Sequence, residues 1–150
     1  MAKMLRALTL TVGLLAISGC LTSELSIKNS SPRLTWIAVQ APVDGVSVIT
    51  VWIQDLEGDP VDLEIRWFGE GEEEDLDLVP GSHGIVGLTT LDGRFEPNGQ
   101  PHELWWDVSS VPTTGELRLH LVPDDRAVTG PEATTPPFVL AEGLPEPAAF

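Results

Sequence analysis

"VSVITVWIQDLEGDPVDLEIRW", residues 46–67, carries two strand patterns side by side with a turn between them. In its second half Val61, Leu63, Ile65 and Trp67 alternate with Asp62, Glu64, Arg66 and Phe68. Successive side chains of a strand point to opposite faces, so this period of two marks a half-buried strand. The first half, VSVITVWI at residues 46–53, is apolar on both faces and rich in β-branched residues, which fits a central strand. The turn-former EGDP at Glu57 separates the two. Working outward, Leu117, Leu119 and Leu121 alternate with Glu116, Arg118 and His120 in the same period. Weaker strand candidates lie at residues 34–40, 84–91, 102–108 and 137–141. Between them fall PVDG at Pro42, PGSHG at Pro80, LDGRFEPNGQP at Leu91 and VPTTG at Val111. No stretch beyond the N-terminal segment sustains a 3.6-residue apolar period. Seven short strands with turns at this spacing predict an all-β sandwich.

The same residues resemble a known class of module. "VSVITVWIQDLEGDPVDLEIRW" followed by "HELWWDVSSVPTTGELRLHLVPDD" is similar to the immunoglobulin-like and fibronectin type III-like modules of bacterial surface lipoproteins. Those modules place an acidic turn after a β-branched strand, and a W-D and a Pro-containing turn before an "LRL" strand. The resemblance implies a seven-stranded sandwich over residues 33–142. The chain has no Cys…Trp…Cys pattern and no tyrosine, so an antibody-type domain with its tyrosine corner is excluded.

The N-terminal residues carry Lys3 and Arg6 ahead of an apolar or neutral run at residues 7–17. That is the charged and apolar layout of an export signal. The run is too short for a spanning helix, which needs about 20 apolar residues. Ile17-Ser18-Gly19-Cys20 follows it, and Cys20 is the only cysteine of the chain. This arrangement resembles the lipobox of bacterial lipoprotein precursors. The resemblance implies diacylglyceryl transfer to the Cys20 sulfur, cleavage between Gly19 and Cys20, and acylation of the new amino terminus with a fatty acid such as palmitate. Leu21, in place of an inner-membrane retention Asp, implies the outer membrane of a Gram-negative envelope. The expected organisation is a signal peptide at residues 1–19, the lipidated cysteine and a flexible tether at 20–32, the sandwich at 33–142, and a disordered, Pro-containing acidic tail at 143–150. With one cysteine there is no disulfide, so the core alone must hold the fold.

Once residues 1–19 are removed, 23 acids face six bases, a formal charge of −17. That balance argues against nucleic acid and against direct adhesion to anionic headgroups, both of which need a cationic face. The remaining partners are the membrane through its lipid, and an envelope protein or glycan.

In sandwich order the B–C, D–E and F–G loops meet at one end. There they would gather Asp55, Glu57 and Asp59 with Asp92 and Glu96 and with Asp124 and Asp125. Calcium takes six to eight oxygen ligands from flexible loops, so this rim is the metal candidate, although D-L-E-G-D-P lacks the EF-hand frame and acids are ordinary in β-turns. A calcium-stabilised adhesion-type module is the alternative reading that follows. The run Glu70 to Asp77 reads as a solvated acidic loop. Trp105 and Trp106 are adjacent on one strand, so one points to the core and the other outward, where an aromatic can stack on a sugar or anchor a protein. Trp52 and Trp67 read as core.

Support for catalysis is thin. His83, His102 and His120 show no zinc-ligand spacing, and there is no nucleophile elbow, P-loop or dinucleotide fingerprint. An envelope hydrolase working through the acidic rim is the weakest alternative. The favoured expectation is a lipid-anchored, non-catalytic binding or structural module without a cofactor.

Overall fold

The computed structural model describes residues 28–91, 97–112 and 114–150. Two antiparallel sheets pack face to face, as expected, but the described residues form nine strands where seven were expected. Their strands are β1 (Arg33–Val39), β2 (Val46–Gln54), β3 (Asp62–Gly69), β4 (Glu72–Asp75), β5 (Gln100–Asp107), β6 (Glu116–Asp124), β7 (Ala133–Thr134), β8 (Phe138–Val139) and β9 (Ala148–Ala149). The first sheet runs β5-β2-β1-β9. The second runs β4-β3-β6-β7, with β8 also paired to β6. No helix among the described residues is long and apolar enough to cross a membrane.

Alternation decides which side chains meet between the sheets. Ile49, Val51 and Ile53 of β2 face Leu63, Ile65 and Trp67 of β3, Leu104 and Trp106 of β5, and Leu117, Leu119 and Leu121 of β6 in one buried cluster. Each fully buried side chain of this size contributes about 1.5–3 kcal/mol. The strand apolar on both faces is central, lying between β1 and β5.

Two tight hairpins set the registers. Val43 and Val46 exchange both backbone hydrogen bonds around Asp44 and Gly45, whose φ values are 51° and 82°. Left-handed conformations at both central positions define a type I′ turn, and an Asp-Gly pair favours it. Glu70 and Gly71, at 51° and 88°, repeat it between β3 and β4. The acidic run is therefore corrected: Glu72–Asp75 is a strand at the edge of the second sheet. Its charges guard the edge against further pairing, and Arg66 of β3 bonds Glu64, Glu73 and Asp75 at 2.7, 3.0 and 3.2 Å.

Both open sides of the sandwich are closed by segments that change sheet. After β4 the chain crosses to β5, where the Val79 N–H donates to Trp105 and the Asp107 N–H to the Asp77 carbonyl. It then returns to β3, where Val61 and Leu88 exchange hydrogen bonds. The strand expected at residues 84–91 is not formed; the Val61–Leu88 bridge and the bond from the Leu63 N–H to the Ile85 carbonyl tie this segment to the second sheet. On the other side β7 and β8 pair with β6, and the chain then crosses to β1. The Leu144 N–H donates to the Val39 carbonyl and the Phe150 N–H to that of Thr35, with β9 between them. Within the expected tail at residues 143–150, Ala148–Ala149 forms the outer strand of the first sheet.

β1 carries a bulge between Leu34 and Trp36, so that no residue of β2 stands in register with Thr35. The extra residue keeps both Leu34 and Ile37 in the core and turns Trp36 outward.

Candidate functional site

Two loops of the expected acidic rim, those of Glu57 and Asp125, are linked through the incoming chain. Consecutive residues make the link: the Asn29 side-chain amide donates to Asp125 at 2.6 Å, and the Ser30 hydroxyl to Glu57. The end of the expected tether is thus pinned to the domain.

These carboxylates are engaged by their own turns. Asp55 is 1% exposed, and its Oδ1 accepts the N–H groups of Glu57 and Asp59 at 3.0 and 2.9 Å. Its Oδ2 is buried without a hydrogen-bond partner. Asp125 accepts the N–H groups of Ala127 and Val128 at 2.8 and 2.6 Å. Burial alone would raise its carboxyl; the bonds from Val128, Ala127 and Asn29 outweigh that and hold it below the ordinary value. Asp124 accepts the Arg126 N–H at 2.6 Å. Asp59 is exposed. Among the described residues no three His, Asp or Glu side chains come together closely enough to hold a metal ion. Asp92 and Glu96 lie outside the described residues, as do Gly19 and Cys20.

A hollow of about 590 Å³ lies along β3 and includes Asp62, Glu64, Arg66, Asp75 and Asp124 in its lining. Its charged groups already have partners, Asp124 in the Arg126 N–H and the Thr129 hydroxyl. Arg66 holds its three acids, and Arg126 forks onto both oxygens of Asp62 at 2.9 and 3.0 Å. That guanidinium, with the Gly87 N–H, holds the Asp62 carboxyl below its ordinary value.

His102 is buried, its Nε2 lying 2.9 Å from the Thr89 carbonyl. Its ring meets His83 edge to face at 5.7 Å. Burial lowers its pKa against the opposing pull of the Thr89 carbonyl, and the His83 ring adds to the lowering.

The aromatic residues divide as the adjacent pair requires: Trp106 is 1% exposed and Trp105 39%. Trp67 is core, but Trp52 is corrected. It stands half-buried on the outer face of the first sheet, directly opposite Trp36, which is 40% exposed. Trp105 lies on the same face, opposite Val48. Trp36, Trp52, Asn98 and Pro147 line a shallow hollow of about 310 Å³. Sequence reasoning missed Trp36 and the outward turn of Trp52. The bulge at Thr35 decides the first, and a strand apolar on both faces conceals the second. Compared with known proteins, the chain matches no family model, no curated protein and no solved structure.

Proposed function

We propose that the protein is a lipid-anchored module of the cell envelope that binds a partner without catalysis. Cys20 carries the lipid and the sandwich presents the binding surface. One observation carries the binding reading: three of the five tryptophans stand on the outer face of one sheet, away from the core they would otherwise fill. Large aromatics in such positions are the usual anchors of recognition surfaces. A non-catalytic role is supported by the acidic rim, where Asp55, Asp124 and Asp125 already serve their turns' N–H groups. The anchor is supported by the lipobox-like ISGC and by stable membrane attachment through multiple acyl chains. Gly19–Cys20 cleavage and acylation are tested by mass spectrometry of the N-terminal peptide from native membranes. The expected peptide begins at Cys20 and carries fatty acyl mass; a peptide beginning elsewhere, or bearing no lipid, overturns the anchor. In the Cys20→Ser variant, palmitate labelling is expected to vanish.

A further inference from the structure

The pairing registers lay out the outer face of the first sheet as rows. Ala149, Trp36, Trp52 and Pro101 stand side by side across all four strands. The next row holds Ala38, Thr50 and Glu103, and the row beyond it Val48 and Trp105. From Trp52 to Val48 is four residues along β2, so with one strand spacing the Trp36–Trp52 pair and Trp105 lie about 14 Å apart on the diagonal. Between these aromatic ends runs a low floor of small and hydroxylated residues, Ala38 and Thr50, bordered by Glu103. The hollow at the Trp36–Trp52 end bears no charged side chain and one amide, Asn98.

This pattern separates the possible occupants. A lipid interface would have to desolvate Glu103 and Asp107, which share the face, and a carboxylate with no cation beside it resists that strongly. A second copy related by a twofold axis would bring the same two acids to the same interface, with no cation among the described residues of these rows to pair them. An anionic polymer is opposed by those acids and by the formal charge of −17 on the chain without residues 1–19. A neutral saccharide fits each feature. The C–H face of a pyranose ring packs on an indole, while its rim hydroxyls need polar partners in between. The charge of the face thus selects a neutral ligand, and two aromatic platforms separated by a polar floor select an extended one.

We propose that the outer face of the first sheet, from the Trp36–Trp52 pair to Trp105, binds a neutral, extended oligosaccharide, such as a β-1,4-linked chain. Indoles at both ends stack on sugar rings. Thr50, Glu103 and Asn98 bond hydroxyls between and beside them, the Glu103 carboxylate as an acceptor. The assignment rests on the sandwich being a binding module and is independent of the anchor.

The test is titration of the full-length protein, held in a sugar-free polyoxyethylene detergent, with cello-, manno-, xylo- and N-acetylchito-hexaose and with the matching disaccharides. Tryptophan fluorescence and calorimetry are the readouts. At least one hexaose is expected to bind, and at least tenfold more tightly than its disaccharide, because only the longer chain reaches both platforms. Trp105→Ala should abolish that length advantage, and Trp52→Ala should weaken hexaose binding at least tenfold. Trp36→Phe and Trp105→Phe, which keep a ring, should retain most of the affinity, and unchanged urea midpoints verify the fold. The proposal is overturned if no hexaose binds at millimolar concentration, or if binding is indifferent to Trp36→Ala and Trp105→Ala. It is equally overturned if the face proves to bind phosphatidylcholine vesicles or a second copy in place of sugar. Absence of sugar binding would leave the lipid on Cys20 untouched, and an unlipidated Cys20 would leave the titration valid.

Discussion

Adjacent residues on a strand have opposite fates, and Trp105 and Trp106 show how far those fates diverge. Trp106 fills the core between the sheets, and truncating it leaves a cavity the packed neighbours cannot close. Trp106→Ala is expected to cost about 3–5 kcal/mol in urea unfolding, whereas Trp105→Ala should stay within about 1 kcal/mol, as surface substitutions do. Equal losses would mean that both rings support the fold and would remove the reason for assigning Trp105 to a ligand. A buried histidine offers a separate check. His102 titrates below its ordinary value of 6.5 because burial disfavours its charged form. The unfolded chain therefore takes up the proton first as pH falls. Stability from neutral His102 is complete above pH 6.5, declines as pH drops below it, and levels off once the folded protein is protonated as well. The Asp62, Asp107 and Asp125 carboxyls, held below 3.8, give up their contributions only in more acidic solution, below that value. His102→Gln, which keeps a donor toward the Thr89 carbonyl, should flatten the slope just below pH 6.5 and leave the acid limb unchanged. A slope that survives the substitution would assign the effect elsewhere.

Elements that could be read from the sequence were those whose apolar period matched their burial. β2, β3 and β6 announce themselves because Ile49, Leu63 and Leu119 each recur with like partners two residues away. β4 and β9 do not. Glu-Glu-Glu-Asp has no strand propensity to detect, and it is a strand because the Glu70–Gly71 turn folds it back against Arg66. Ala148–Ala149 follows two prolines and reads as a tail, yet β1 would otherwise present an open edge. The candidate surface was legible only in part for the same reason. Trp105 follows from alternation, whereas its meeting with Trp36 and Trp52 depends on registers between strands distant in sequence and on one bulge. The last segment consequently carries a prediction. Ending the chain after Glu142 removes the Leu144 and Ala148 packing along with the hydrogen bonds to Val39 and Thr35. A loss of roughly 1–3 kcal/mol is expected from the apolar burial alone, read as a lower urea midpoint, together with concentration-dependent self-association through the bared β1 edge. Unchanged stability and a monomeric truncated protein would restore the segment to the status of a loose tail.

For the whole molecule, the place where the chain joins the sandwich fixes how the domain would stand on a membrane. Pro32 is buried against Gly130, so closely that a Cβ on that glycine would lie 2.0 Å from the Pro32 carbonyl oxygen. Asn29 and Ser30 are tied to Asp125 and Glu57. With the proposed lipid on Cys20, only the residues between Cys20 and Lys28 would be left to span the gap, a contour length of about 29 Å. Under the proposed anchor the end nearest the membrane would therefore be the acidic rim, and the Asp44–Gly45 turn lies at the far end of β2, about 30 Å away along the strand. A proximal rim of Asp55, Glu57, Asp124 and Asp125 meets an anionic surface as like charge, so the domain should stand off such a membrane and relax toward it as salt screens the repulsion. The proposed acylation would consume the native thiol, so that a single dye could be placed at Leu56→Cys or Val43→Cys, both at exposed side chains. With quencher-labelled headgroups in phosphatidylcholine vesicles, the dye at position 56 should be quenched strongly and that at 43 weakly. Adding phosphatidylglycerol at low ionic strength should reduce quenching at 56, and salt at about 0.15 M, where the Debye length is about 8 Å, should restore it. Equal quenching at both positions would mean that the sandwich lies flat. That posture would bring one sheet's outer face against the lipid and compete with a sugar for the tryptophans, so this measurement bears on the recognition surface as well as on the anchor.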